Sequence, residues 1–239
     1  PLEVHIHANN WGFMSLVFAG LMIDFVPLVV GQPLAQPRTL RVIYWSMTLG
    51  ALGLVMGPWL GGSLVVTVPG LVLHVAATVW LLGLLFQRLA AGQQLRTAGG
   101  WHLLTAYIWI LLPVLTAPFV LLKIPGFVGG DIEATAPQAL IYGWVLQFSY
   151  ALIPLLVQRY LLNENGATFG GTWLSVMAVN IGSLLVWLSI FVVPLRPLLH
   201  GTAYLFYLVS LAPLAWRLGG MVQRKLREFD GRTLAQAAD

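Results

Sequence analysis

Residues 11–30 read WGFMSLVFAGLMIDFVPLVV, and Asp24 is the one charged side chain among them. An α-helix rises about 1.5 Å per residue, so about 20 apolar residues are needed to cross a hydrocarbon core about 30 Å thick. This stretch therefore predicts a transmembrane helix. Gly31, just after the stretch, marks its end.

Six further stretches are similarly long and apolar. The sequence therefore predicts an all-α integral membrane protein with a bundle of about seven transmembrane helices. Glycine and proline mark the connections between them. The link at 194–197 is so short that the last two helices must form an antiparallel hairpin. The predicted spans are residues 11–30, 42–60, 66–86, 103–122, 139–157, 173–193 and 203–216.

The composition of the whole chain agrees with this fold. Of its 239 residues, 59% are hydrophobic and 8% are charged, whereas a soluble domain carries about 25% charged residues. The net charge of +4 is spread over loops and the C-terminal tail, so no nucleic-acid partner is expected. The chain has no cysteine, which excludes disulfides, iron–sulfur clusters and thiolate ligands.

The charged loop residues predict the orientation, because cytoplasmic loops carry an excess of lysine and arginine. The richer side should be cytoplasmic, which puts the N-terminus outside and the C-terminus inside, in a bacterial inner membrane. We also expect further sequence upstream of Pro1. The richer side has Arg38, Arg41, Arg88, Arg96, Arg159, Arg217, Arg224, Lys225, Arg227 and Arg232; the other has Lys123 and Arg196, with Glu3, Asp131 and Glu133.

Four of the five histidines are predicted to lie near the outer surface. His5 and His7 open the first span, His74 lies in the outer third of the third, and His200 lies at the outer start of the seventh. His102 alone falls at the cytoplasmic end. Ionisable groups inside a membrane are usually functional or paired, and imidazole is a common axial ligand of heme iron. The four outer histidines are therefore candidate cofactor and metal ligands.

The spacing of His5 and His7 has a geometric consequence. Two residues correspond to about 200° of rotation around a helix, so the two rings point to nearly opposite sides. They cannot easily hold one metal ion together, but each could ligate a separate group. The alternative is an interfacial pair that caps the helix or meets water.

The stretch VHIHANNWGFMSLVFAGLMIDFVPLVVG, residues 4–31, resembles the tenth transmembrane helix of heme–copper oxidase subunit I, and most of all that of the C-family (cbb-type) catalytic subunit. The following LRVIYWSMTLGALGLVMGPWLGG resembles the eleventh. The match covers roughly residues 4–100, and the NnrS family of heme-containing membrane proteins shows a related similarity. The resemblance implies that His5 binds a high-spin heme and His7 a low-spin heme, so one or two b-type hemes are expected.

The chain also departs from that family. It has no adjacent His-His pair, so no copper site is expected from this chain alone. Residues 136–161 resemble the family's second helix, but Gln138 stands where a heme-ligating histidine is expected. The motif Gln138-x4-Gly-Trp is also similar to His7-x4-Gly-Phe in the first span. Residues 91–219 therefore form either a degenerate repeat of the three-helix segment 1–90 or a segment of ordinary transmembrane composition, followed by a basic cytoplasmic tail at 220–239.

The leading hypothesis is a b-type heme-binding membrane subunit, related to the heme–copper oxidases, that carries electrons in a respiratory-type complex with partner subunits and membrane lipid. It would be an oxidoreductase component if upstream sequence supplied the remaining ligands. One alternative is a heme-free transporter or structural subunit on the same scaffold. Another is an open heme site for oxygen or nitric oxide chemistry.

Polar and small residues within the spans give further predictions. Asp24 either belongs to a proton path, or reaches the inner interface and pairs with Arg38 or Arg41. Gln147 and Asn180 lie mid-span and predict a hydrogen bond between helices. The glycines at 50, 53 and 57 predict close packing of the second helix against a neighbour.

Overall fold

The computed structural model describes residues 2–122, 124–125 and 127–236, and within them seven helices are long and apolar enough to cross a membrane. The prediction of a multi-pass, all-helical membrane protein is confirmed for this part of the chain. Helix α1 covers residues 2–30 and contains a π-helical segment, Ala8–Met14; α5 covers Gly129–Leu161 and contains two, Ile141–Val145 and Val157–Leu161. The others are α2 Pro37–Trp59, α3 Leu64–Ala91, α4 Ala98–Leu121, α6 Trp173–Phe191 and α7 Arg196–Gln236.

The largest differences from the predicted boundaries are at α1, α5 and α7. Helix α1 begins at residue 2 rather than at 11, and α5 begins at Gly129 rather than at 139. Helix α7 begins at Arg196 and continues to Gln236 rather than ending at 216, so the polar tail is helical where it is described. Hydropathy marks only the apolar part of a helix, and the lysine, arginine, glutamate and leucine residues of the tail are good helix formers. Pro1, Lys123 and residues 237–239, all part of the predictions, lie outside the described residues.

The chain folds as two compact units, Pro1–Gln94 and Leu95–Asp239. In the first unit, α2 and α3 pack closely because glycine faces glycine. A Cβ on Gly50 would lie 2.6 Å from the backbone nitrogen of His74, and one on Gly53 would lie 2.8 Å from the Cα of Gly70. The close packing expected from the glycine spacing is therefore confirmed.

Arg88 near the end of α3 fixes the turn between α1 and α2. Its Nε donates to the carbonyl of Leu34 at 3.2 Å, and its Nη1 donates to Oε1 of Gln32 at 3.0 Å. The turn begins at Gly31, where φ is 76° and a residue without a side chain is favoured. This end of α3 and the α1–α2 turn are thus held together at one end of the unit.

The second unit contains α4–α7, and its last two helices form the predicted hairpin. Only Val192 and a 3₁₀ turn, Val193–Leu195, lie between α6 and α7. Gly182 lets α6 approach the ring of Tyr207. The core of this unit is aromatic, with Tyr107 of α4 and Trp144, Phe148 and Tyr150 of α5 almost fully buried.

The tryptophans do not all lie at the surface, as an aromatic belt at the membrane interfaces would require. Six of the ten are exposed, and the other four are buried. A tryptophan on the inward face of a helix fills the space between helices, and composition alone cannot distinguish the two positions. The buried tryptophans are Trp11, Trp109, Trp144 and Trp187.

Candidate functional site

The His-x-His pair lies in the first two turns of α1. His5 is exposed, and its Nε2 lies 3.0 Å from Nδ2 of Asn9, whose amide donates the hydrogen bond. His7 is half-buried. The different exposure of the two rings agrees with the opposite directions expected from their spacing. The π-helical segment Ala8–Met14 begins directly after His7, and such segments occur frequently at functional sites.

His74 of α3 lies in the core of the first unit, where both ring nitrogens have protein partners. Nδ1 lies 3.0 Å from the carbonyl oxygen of Met47, which can only accept, so Nδ1 carries the proton. Nε2 then accepts from the hydroxyl of Ser15 at 2.9 Å. The edge of Trp11 packs against the ring, with the centroids 5.5 Å apart. These partners assign a neutral imidazole that joins three helices.

The predicted common depth of the histidines does not extend to His74. Its partner Ser15 lies eight residues after His7, which is roughly 12 Å further along α1. His74 and the His5–His7 pair are therefore not brought together in the first unit. An iron ion on Nε2 of His74 would have to displace the buried hydroxyl of Ser15.

His200 belongs to the second unit, and its Nε2 lies 2.7 Å from the hydroxyl oxygen of Ser189. Gln138, at the expected position of a lost ligand, accepts a hydrogen bond from the hydroxyl of Tyr204 at 3.0 Å. Across the described part of the chain, no three His, Asp or Glu side chains come close enough together to hold a metal ion.

Asp24 is exposed on α1. Among the residues that the structure describes, it forms no ion pair with Arg38 or Arg41, so the predicted pairing is not found. Its exposed carboxylate lies outside the packed interior of its unit. Asp24 is therefore separate from the buried hydrogen bonds of the first unit.

The second unit contains a buried polar group that we call the His102 cluster: His102, Thr105, Gln147, Ser175 and Asn180. Oε1 of Gln147 accepts from the hydroxyl of Thr105 at 2.6 Å and from Nδ2 of Asn180 at 3.1 Å. Nε2 of Gln147 donates to Oδ1 of Asn180 at 3.3 Å. The hydrogen bonding between helices that Gln147 and Asn180 predicted is confirmed, and the two side chains are each other's partners, which joins α5 to α6.

His102 lies at the end of this cluster and is fully buried. Its Nδ1 is 3.3 Å from Oε1 of Gln147, and its Nε2 is 2.8 Å from the hydroxyl oxygen of Ser175. Gly171, with φ at 96°, passes directly against the imidazole, where any side chain would collide with the ring. The ring of Tyr150 packs on the imidazole with centroids 5.1 Å apart.

The sequence prediction did not include His102, because it was the one histidine at the opposite end of the bundle. A signal for it does exist in α4. His102, Thr105 and Trp109 follow the spacing i, i+3, i+7, which places them on one helix face. That face meets Asn180, whose Oδ1 accepts from Nε1 of Trp109 at 2.8 Å.

The two similar sequence motifs, His7-x4-Gly-Phe and Gln138-x4-Gly-Trp, also share a backbone feature. Gly12 lies in the π-helical segment Ala8–Met14, and Gly143 lies in the π-helical segment Ile141–Val145. In each unit, a polar side chain just after the π-helical segment contacts a buried histidine: Ser15 contacts His74, and Gln147 contacts His102.

No protein-family model matches the chain, and no curated protein or solved structure matches it either. The candidate sites therefore rest on the geometry of the two units and on the chemistry of their side chains.

Proposed function

We propose that the chain is a b-type heme-binding subunit of a redox complex in a bacterial inner membrane, with the N-terminus outside and the C-terminus cytoplasmic. The observation that carries the proposal is the exposure of His5 and the nature of its hydrogen bond. Its ring is exposed, its Nε2 has an exposed hydrogen bond to Asn9, and a π-helical segment follows the His5–His7 pair at once.

A heme ligand must be able to leave its protein partner and bind iron instead. An exposed hydrogen bond is easily replaced, because water or another donor compensates for it. His5 meets this requirement. His74 does not, since both of its nitrogens have buried partners. His200 has Nε2 on Ser189 in a partly buried bond, so its exchange for iron costs more.

The ligand set in this proposal is therefore His5 and His7 on α1, each directed to a different side of the helix. The heme, when bound, supplies one-electron transfer. His5 and His7 would hold and orient it. The resemblance of residues 4–31 to the His-x-His helix of the heme–copper oxidases supports the same two residues.

A second candidate function is a heme-free, proton-linked transporter. The His102 cluster favours it, because buried polar side chains in a membrane bundle often mark a path for protons or polar solutes. This candidate uses the second unit and leaves the His-x-His pair of α1 as interfacial residues.

The two candidates are separated by the heme content of the purified chain. The protein is extracted from heme-sufficient cells, and a pyridine hemochrome spectrum is taken alongside circular dichroism. The proposal expects a Soret band with heme b bound to the folded chain. The control is protein from heme-depleted cells, to which added hemin should restore the band. Folded protein without a Soret band, before and after hemin, contradicts the proposal and favours the transporter.

A further inference from the structure

The orientation of the Gln147 side chain determines one proton position in the His102 cluster. Nε2 of Gln147 lies 2.6 Å from the carbonyl oxygen of Gly143, which can only accept, so the amide nitrogen must be at this position. The atom that faces Nδ1 of His102 is therefore the amide oxygen, Oε1, at 3.3 Å. It follows that Nδ1 of His102 carries a proton.

The hydroxyl of Ser175 determines the state of the other ring nitrogen. Its oxygen lies 2.7 Å from the carbonyl oxygen of Thr172 and 2.8 Å from Nε2 of His102. One hydroxyl proton can serve only one of these two acceptors at a time. If Ser175 donates to Nε2, His102 is neutral. If Ser175 donates to Thr172, its lone pair faces Nε2, which must then carry a proton.

Both arrangements leave the neighbouring groups satisfied. The carbonyl of Thr172 also accepts from the backbone nitrogen of Val176 at 3.0 Å, so it retains a donor when Ser175 turns away. The oxygen of Ser175 accepts from the backbone nitrogen of Thr172 at 2.9 Å in either arrangement. The change between a neutral and a cationic His102 thus needs only the rotation of one hydroxyl group.

His74 provides the contrast. Its Nε2 also faces a serine hydroxyl, but in the described residues the hydroxyl of Ser15 has no second acceptor to which it could turn. A proton on Nε2 of His74 would leave the Ser15 proton without an acceptor in a buried position, which is unfavourable. The contacts of His74 in the first unit therefore favour its neutral form. The contacts of His102 in the second unit accommodate both the neutral and the cationic form.

A small cavity lies beside Ser175 and gives protons a route to it. It has room for about one water molecule, and its lining includes the polar residues Tyr150, Thr172, Ser175 and Arg217. Arg217 of α7 is half-buried. A water molecule here that has taken up a proton from the solvent, as hydronium, can give that proton to the oxygen of Ser175 while the hydroxyl proton of Ser175 passes to Nε2 of His102. Two O–H bonds break, one in hydronium and one in Ser175, and one O–H bond and one N–H bond form, so the positive charge passes from hydronium to His102.

The charged and titratable groups around this site are few. Helix α5 contributes Tyr150, whose hydroxyl bonds to Ser210 at 2.6 Å, and α7 contributes Arg217. The positive charge of Arg217 opposes a cationic His102. Glu164, in the loop after α5, offsets this charge in part and is itself paired with Arg224 at 3.2 Å. The polar members of the cluster from α4 and α6 are uncharged.

From these contacts we propose that His102 is a proton-accepting site of the second unit, reached through the cavity beside Ser175. It takes up and releases a proton without repacking of the helices. The site lies wholly within the second unit and does not depend on heme at α1. Its test is therefore independent of the test of the proposed function.

The test uses the chain in lipid nanodiscs, with ¹⁵N-labelled histidine followed by NMR from about pH 8 down to about pH 3.5, a range wide enough for exposed and buried histidines. The His102 signals are assigned as those missing from His102→Gln. We expect Nδ1 to stay protonated throughout, and Nε2 to become protonated as the pH falls. An Nε2 that stays unprotonated across the window, while circular dichroism shows intact helices, overturns the proposal.

Two serine variants make the test specific. Ser175→Ala removes the acceptor for a protonated Nε2, so the proton affinity of His102 should fall about tenfold, as expected for the loss of about 1.4 kcal/mol of stabilisation. Ser175→Thr keeps a hydroxyl and should remain close to the wild type. Ser15→Ala, the matched change beside His74, should leave the His102 titration unchanged. An equal effect of Ser175→Ala and Ser15→Ala contradicts the assignment.

Discussion

The hydroxyl of Ser15 donates to Nε2 of His74 across 2.9 Å, in the buried core of the first unit. The other ring nitrogen, Nδ1, donates a hydrogen bond to the backbone carbonyl of Met47 at 3.0 Å. One imidazole therefore joins α1, α2 and α3. A histidine in this setting holds helices together, which is a different task from binding iron.

Removing the serine hydroxyl should destabilise the first unit. In Ser15→Ala, Nε2 of His74 loses its donor in a buried position, which costs about 1–3 kcal/mol. The free energy of unfolding, measured by SDS titration in mixed micelles, should fall by that amount. The control is Ser46→Ala on α2, a half-buried serine outside these contacts. Equal stability of the two variants contradicts the structural role of His74.

A methyl group at Gly50 should disturb the contact between α2 and α3. Its Cβ would lie 2.6 Å from the backbone nitrogen of His74 and 2.8 Å from the carbonyl oxygen of Gly70, so backbone must move. We expect Gly50→Ala to lower the free energy of unfolding by about 1–3 kcal/mol, the usual cost of overpacking.

The matched control for Gly50 is Gly83→Ala on α3, where a Cβ meets nothing within 4 Å. Alanine is the better helix former by up to about 1 kcal/mol, so this variant should be neutral or more stable. Thermal unfolding in detergent distinguishes the two. A Gly50→Ala protein as stable as Gly83→Ala means that the helices are further apart than described.

The hydrogen bonds between Gln147 and Asn180 should appear as an energetic coupling. Each side chain contacts the other through both its oxygen and its nitrogen, at 3.1 and 3.3 Å. A double-mutant cycle with Gln147→Ala and Asn180→Ala should give a coupling of about 1 kcal/mol, as for other hydrogen bonds within membranes. The same cycle between Gln147 and Thr116, whose hydroxyl bonds within α4, should be additive. Additivity in both cycles argues against the cluster.

The absence of cysteine from the sequence allows the proposed orientation to be tested by single-cysteine labelling. Gly130 in the first turn of α5 and Gly166 in the loop after α5 are both exposed, and a Cβ at either meets nothing within 4 Å. In intact spheroplasts, an impermeant maleimide should label Gly130→Cys and should spare Gly166→Cys until the membrane is opened. The reverse pattern contradicts the orientation derived from the loop charges.

Hydropathy was sufficient to predict the seven helices, because each must cover its own backbone in lipid. The glycine face around Gly50 and hydrogen bonding between helices at Gln147 and Asn180 were also predictable, but not that these two residues pair with each other. Small residues allow close contact, and buried amides need partners. Each of these predictions depends on one local property of the chain.

The sites were less predictable, because they depend on which helix faces which and at what register. The sequence placed His74 at the depth of His7, but its contact with Ser15 places it about two turns further in. The sequence prediction also left His102 out of the candidate ligands. Its importance appears only when α5 and α6 supply Gln147 and Ser175, and when Gly171 lets the loop pass over the ring.

The central claim is that heme binds at the start of α1, through His5 and His7. The most direct measurement is the amount of heme b per folded polypeptide in His5→Ala/His7→Ala, compared with His200→Ala. The double variant should lose the Soret band and retain its helical circular dichroism, while His200→Ala should keep the heme content of the wild type. Heme retained by the double variant, or lost from His200→Ala alone, contradicts the assignment.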